Sequence, residues 1–287
     1  MSEEILINVT PQETRVAVVE NGMLQEVHIE RAGHRGIVGN IYRGKVVRVL
    51  PGMQAAFVDI GLERAAFLHA SDIHPLPAAA ESNGNGNGSA TPPPAIQTLV
   101  HEGQEIVVQV DKDPLGTKGA RLTMQLTLPG RYLVYMPDSQ HIGISQKITD
   151  EETRTRLRTF IKSVAGDDGE GGFILRTLAE AASEDELRAD IRYLRRIWEV
   201  CRERIRTATL GTPIHEDLPL ALRAMRDLVR DNVEKLRIDS RETYAKAQEF
   251  AHEFIPEIEG RIEYYPGERP IFDLYSVEDE IQKALAS

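Results

Sequence analysis

A chain of 287 residues, 41% hydrophobic and 28% charged, has the ordinary composition of a soluble globular protein and is long enough for two domains. Its net charge of −11 argues against a surface built uniformly for phosphate, and its one cysteine, Cys201, excludes an intrachain disulfide and a cysteine-rich metal site. No apolar run reaches the roughly 18 residues of a membrane span, and the start MSEEILINV carries no basic-then-apolar signal, so the cytoplasm is the expected compartment.

ILINV, TRVAVVE and MLQEVHIE predict a three-stranded meander over the first thirty residues, with Asn21-Gly22 as a type I′ hairpin turn. IYRGKVVRVL, QAAFVDI, RAAFLHA, EIVVQV and RLTMQLT follow as five short strands, punctuated by Pro51-Gly52 and Gly61. Five strands over about 40–125 suit a small closed barrel of the OB type. Residues 75–97 interrupt it with Gly, Asn, Ser and a triple proline, and predict a flexible insertion.

Helical periodicity takes over from Asp150. EETRTRLRTFIKSV predicts a helix with Leu157, Ile161 and Val164 on its apolar face, and GGFILRTLAE a strand. The longest helix opens with a capping box, Ser183 and Glu186, and buries Leu187, Ile191, Leu194, Trp198 and Cys201. LPLALRAMRDLVR and RETYAKAQEFAHEF predict two more helices, with strands at KLRIDS and RIEYYPG. A last helix is expected from Ser276, with Asp279 completing a cap-like spacing and Glu278-Asp279-Glu280 on its exposed side.

Charge is segregated along the chain. Six Arg or Lys stand against two acids from Arg31 to Arg64, and seven against three from Arg188 to Arg206, while acids gather at 150–152, 167–170 and in the last thirty residues. An RNA-binding face on an acidic body is therefore permitted. Phe57 and Phe67, each after two alanines, suit a strand core or an exposed stacking face. Lys118 in GTKG reads as a solvated loop lysine or a phosphate contact. Arg176-Thr177 pairs a guanidinium with a hydroxyl at a strand end, a combination that a terminal phosphate can use but that any surface can carry. Arg192, Arg195 and Arg196 suit a solvated helix face, and the histidines show no metal spacing.

The segments INVTPQETRVAVVENGMLQEVHIER, GNIYRGKVVRVLPGMQAAFVDIGLERAAFLHASDI, VDKDPLGTKGARLT and RPIFDLYSVEDEIQKAL resemble the RNase G/RNase E family of bacterial ribonucleases. The likeness runs over essentially the whole chain except the insertion. It implies an α+β multi-subdomain fold, in which an RNase H-like subdomain (1–37 and 218–285) is split by an S1 (OB-fold) β-barrel (38–125) and an α/β 5′-sensor subdomain (126–217).

Family members cleave single-stranded, A/U-rich RNA with Mg²⁺-activated water, in rRNA processing and mRNA decay. The resemblance therefore implies single-stranded RNA partners, rRNA precursors and mRNA, and a homo-oligomer for the full-length protein. The family's Mg²⁺ is held by an Asp-x-Asn motif and a further aspartate in a DNase I-like subdomain. Neither DIN nor DVN occurs in this chain, and the family's zinc-binding Cys motif is absent. The expectation is thus an RNA-holding portion with no catalytic or metal-binding residue of its own. A non-catalytic RNA-binding module and an assembly scaffold are the alternatives.

The resemblance also implies roles by position. Phe57 and Phe67 would stack bases and Lys118 would contact RNA. Arg176 and Thr177 would grip a 5′-monophosphate, with Gly130 and Val134 lining the pocket by their backbone. The family pocket includes a further arginine from the catalytic domain.

Overall fold

The computed structural model describes residues 2–73, 94–165, 171–230 and 232–286. Its elements begin with β1 (Glu3–Val9), β2 (Glu13–Glu20), β3 (Met23–Arg31), β4 (Ile41–Leu50), β5 (Ala55–Asp59) and β6 (Ala66–His69). Then come α1 (Ile96–Leu99), β7 (Glu105–Lys112), β8 (Arg121–Thr123), β9 (Leu128–Pro129), β10 (Leu133–Met136), β11 (Ile142–Ile144) and α2 (Glu151–Ala165). The rest are β12 (Gly172–Leu175), α3 (Glu184–Thr207), β13 (Pro213–His215), α4 (Leu220–Leu228), β14 (Val233–Ile238), α5 (Arg241–Phe254), β15 (Ile262–Tyr264) and α6 (Val277–Ala286). The chain divides into two compact units, Met1–Arg35 with Leu218–Ser287, and Gly36–Asp217.

The first unit is built on a five-stranded sheet in the order β15-β14-β1-β2-β3. β1 runs parallel to β14 and antiparallel to β2. Ile5, Leu6 and Ile7 are buried in succession, as a central strand covered on both faces requires. Leu6, Ala17 and Val19 pack with Ile271, Phe272 and Val277. α4 lies on β2, and α5 on β14 and β15. The turn between β2 and β3 places Asn21 at φ 49° and Gly22 at 79°, the two left-handed positions of a type I′ turn.

Two expectations for the last helix are corrected. Tyr275 and Ser276 take φ of 57° and 53°, so Ser276 lacks the extended backbone of an N-cap and the helix begins at Val277. Glu278 is half-buried rather than exposed, because its carboxylate meets Arg15 at 3.0 Å. That guanidinium in turn lies 4.6 Å from the centre of the Phe272 ring.

The second unit begins with a five-stranded barrel. Strands pair in the order β4-β5-β6-β8-β7, and a β4–β7 pairing closes the ring, with β13 added outside β4. Val46, Val58, Leu68, Val108 and Leu122 fill it. Most of the predicted insertion, residues 75–93, lies outside the described residues. Its end is corrected: α1 starts at Ile96, whose side chain is wholly buried in the barrel core. The Ile96 amide donates to the Gln54 side-chain oxygen at 3.0 Å, which fixes where the chain re-enters.

Beyond the barrel stands a four-stranded sheet, β11-β12-β10-β9, against which α2 and α3 pack. The capping box that opens α3 forms as expected: the Ser183 hydroxyl accepts from the Glu186 amide, and the Glu186 carboxylate accepts from the Ser183 amide at 2.8 Å. The buried stripe of α3 differs from the expected one. It includes Asp190 and Ile197, while Trp198 is half-buried with its ring 6.4 Å from Tyr135. At the far end of α3, Arg43 of β4 donates to the carbonyls of Ile205 and Ala208 and holds Glu105 at 2.8 Å. The helix is thereby fastened to the barrel.

Candidate nucleic-acid interface

Strand alternation separates the two faces of the barrel wall. On β5, Ala56 and Val58 point into the core while Phe57 is half-buried; on β6, Ala66 and Leu68 point inward while Phe67 is half-buried. Phe57 and Phe67 are directly opposite in the antiparallel ladder, and their rings meet edge to face with centroids 6.1 Å apart. With Ala56 and Val58 turned inward beside one ring and Ala66 and Leu68 beside the other, the pair stands on the outer face.

The register carries this row further in both directions. Arg48 pairs with Phe57, Phe67 with Arg121, and Arg121 with Lys112. One lateral line across the sheet thus reads Arg48, Phe57, Phe67, Arg121, Lys112. Asp72 orients Arg121 through Nη2 at 3.0 Å. Sequence reasoning found the rings but missed these three cations. β4 and β7 each carry an irregularity beside them, between Val46 and Arg48 and between Val110 and Lys112, so counting by twos assigns the wrong face.

Lys118 sits in the β7–β8 hairpin, where Leu115 and Lys118 exchange backbone hydrogen bonds. It is exposed, and Arg64 donates to the Gly116 carbonyl of the same turn. Next to it, Gly119 runs so close to the Ala65 carbonyl that an added Cβ would fall 2.1 Å from that oxygen. The hairpin is pressed against the strand that carries Phe67, whose amide donates to the Ala120 carbonyl. Lys118 therefore borders the aromatic row without belonging to it.

The second candidate group forms around the loop from Gly130 to Leu133. Arg176, at the end of β12, donates from Nη1 to the Gly130 carbonyl at 2.8 Å and to the Arg131 carbonyl at 3.3 Å. Its Nε and Nη2 donors have no partner among the described residues. Thr177 is exposed, and its hydroxyl lies 3.0 Å from that of Ser145, which sequence reasoning did not single out. Gly130 and Arg176 are thus in direct contact. Gly130 is buried and its amide is spent on the Leu133 carbonyl at 2.7 Å, so it shapes the loop from within. Val134 lies in the ladder opposite Ile174 and joins the group only through its strand.

The loop is held from the α3 side by acids. The Tyr132 hydroxyl donates to Glu186 at 2.6 Å, and three successive amides, Arg131, Tyr132 and Leu133, donate to the buried Asp190 carboxylate at 2.8–2.9 Å. Burial works to raise the Glu186 carboxyl, but hydrogen bonds from Tyr132 and Ser183 and the charge of Arg131 outweigh it and hold the group below its ordinary range. Asp190 did leave a trace in the sequence: it is an acid on the apolar stripe of a long helix, three residues after Leu187 and four before Leu194.

Arg192, Arg195 and Arg196 are exposed on α3. Among the described residues no three His, Cys, Asp or Glu side chains converge as a group that could hold a metal ion. No helix among the described residues is long and apolar enough to cross a membrane.

Residues 36–124 match the S1 RNA binding domain, and residues 127–287 match the ribonuclease E/G family. The chain belongs to the ribonuclease E/G family. Within it, ribonuclease G of Escherichia coli (strain K12) is 51% identical over 285 residues, covering 99% of this chain and 57% of that protein. Ribonuclease G of Haemophilus influenzae is 52% identical over 282 residues, 98% of this chain and 56% of its own length. Ribonuclease E of Escherichia coli (strain K12) is more distant, 36% identical over 289 residues, and the match takes in 26% of it. The chain thus spans little more than half the length of the ribonuclease G proteins it matches. The family's S1 domain is the closed barrel that carries Phe57 and Phe67.

Proposed function

We propose that this chain is the RNA-holding and 5′-end-sensing portion of a single-strand-specific endoribonuclease. The observation that carries the reading is the lateral row of two aromatic rings flanked by Arg48, Arg121 and Lys112 on the S1 barrel. Bases of any identity stack on such rings while the cations neutralise the backbone, which suits a single strand and not a duplex. Lys118 adds a phosphate contact at the border. Gly130, Val134, Arg176 and Thr177 form the 5′-monophosphate pocket: a guanidinium pinned on one edge offers its other edge to two phosphate oxygens.

The unit of Met1–Arg35 with Leu218–Ser287 is the RNase H-like subdomain, and the sheet of β9 to β12 with α2 and α3 is the 5′ sensor. In the whole enzyme, Mg²⁺ would supply the activated water from a further segment; the residues here bind and orient RNA. The whole protein acts in the cytoplasm on rRNA precursors and mRNA, as a homo-oligomer.

The test incubates the chain with a 5′-monophosphorylated, A/U-rich oligonucleotide and Mg²⁺ and follows binding and cleavage together. The expected result is binding without cleavage, weakened by added salt and by Phe57→Ala. Robust cleavage overturns the assignment of the active site to another segment, and salt-insensitive binding that ignores Phe57→Ala overturns the RNA face.

A further inference from the structure

Three consecutive peptide groups lie between Asp190 and Arg176. The Arg131 amide donates to Asp190 at 2.9 Å while the carbonyl of the same peptide, that of Gly130, accepts from Arg176 Nη1 at 2.8 Å. The Tyr132 amide donates to Asp190 at 2.8 Å, and its peptide's carbonyl, that of Arg131, accepts from Arg176 Nη1 at 3.3 Å. The Leu133 amide donates to Asp190 at 2.9 Å, and its peptide's carbonyl, that of Tyr132, accepts from the Arg176 amide at 2.8 Å. Every one of the three dipoles has its positive end on the carboxylate and its negative end on Arg176. Asp190 itself is only 7% exposed and stands on the second turn of α3, a rigid support.

We propose that Asp190 is a positioning residue for the 5′-phosphate pocket, setting the direction of the Gly130, Arg131 and Tyr132 carbonyls and through them the aim of the free edge of Arg176. The inference rests on reading Arg176 as the 5′-phosphate ligand. A carboxylate that takes three amides fixes the peptide planes, and the fixed carbonyls of Gly130 and Arg131 are the ones that hold Arg176 Nη1. The glycine at 130 follows from the same contact: an added Cβ would lie 2.6 Å from both Asp190 oxygens. Gly130 is thus required by the carboxylate behind it.

The substitution that isolates this role is Asp190→Asn. Its oxygen still accepts from Tyr132 and Leu133, but its amide faces the Arg131 amide, which turns the Gly130 carbonyl away from Arg176. Affinities for one oligonucleotide with a 5′-monophosphate or a 5′-hydroxyl end are measured on the unmodified chain, Asp190→Asn, Gly130→Ala and Arg176→Ala. The unmodified chain is expected to prefer the monophosphate and Arg176→Ala to lose that preference. If either fails, the pocket reading falls and the inference with it. Given both, Asp190→Asn is expected to cut the preference at least about fivefold while hydroxyl-ended RNA binds within about twofold of before, and Gly130→Ala is expected to cut the preference as well. A preference retained in both variants overturns the inference alone. So does equal weakening toward both RNAs, which would assign Asp190 to folding only.

Discussion

The barrel face and the loop around Gly130 are both candidate phosphate and RNA contacts in one unit, yet they are made differently. The barrel face is a row of side chains set side by side by strand register, and its backbone is already consumed in the ladder. Phe57 and Phe67 meet edge to face, and each is carried by its own strand. The loop is made of backbone, turned outward or inward by a buried acid on one side and a guanidinium on the other. Its parts depend on one another. A site of the first kind tolerates substitution and loses affinity in steps; a site of the second kind fails as a unit.

The largest expected effect falls on the loop. Asp190→Ala strips three amides of their acceptor, each costing about 1–3 kcal/mol, so urea denaturation should register a loss of at least about 3 kcal/mol. Phe57→Ala, measured the same way, should change stability by less than about 1 kcal/mol. Equal losses would erase the contrast. Next in size, the Phe57→Ala and Phe67→Ala pair should weaken single-stranded RNA binding by about 1–3 kcal/mol per ring in a titration. Strong non-additivity of the two would mean that the rings act as one clamp.

A smaller effect separates the sites by pH. The Glu186 carboxyl is held low in the fold, so the unfolded chain binds the proton more readily. Its stabilisation is complete above the ordinary glutamate range and is lost as pH falls through the depressed value, from about pH 5 downward. Unfolding midpoints of the unmodified chain and Glu186→Gln should converge on acidification. Parallel curves would remove Glu186 from the support of the loop. The smallest effect is kinetic. Burial, only partly opposed by the Arg204 charge, pushes the Cys201 thiol up to about 11. Alkylation at pH 8 should therefore be slow and should quicken in Asp190→Ala, reporting how often α3 loosens.

What could be read in advance follows the same division. The hairpin at Asn21-Gly22, the barrel strands and the α3 capping box are local signals, in which the residues that specify the feature also form it. The aromatic pair was legible as residues but not as a row, because the irregularities on β4 and β7 shift Arg48 and Lys112 against any two-residue count. LPGRYLVYMP concealed β9 and β10, since two- and four-residue strands around a proline and a glycine carry no period. Ile96 looked like the tail of a proline-rich stretch, and only the barrel interior explains its burial. Asp190 was visible as an acid on an apolar stripe, but its partners lie 57 to 59 positions away and no spacing announces them.

The fastening of α3 at both ends has a metric consequence. Glu186 and Asp190 fix one end to the loop, and Arg43 fixes the carbonyls of Ile205 and Ala208 to the barrel. From Asp190 to Ile205 a helix rises roughly 22 Å, and a helix does not stretch. The rod makes the span between loop and barrel a built-in length standard. Neither the loop nor strand β4 can shift along that rod without giving up a hydrogen bond to it, so the separation of the two is held by covalent geometry.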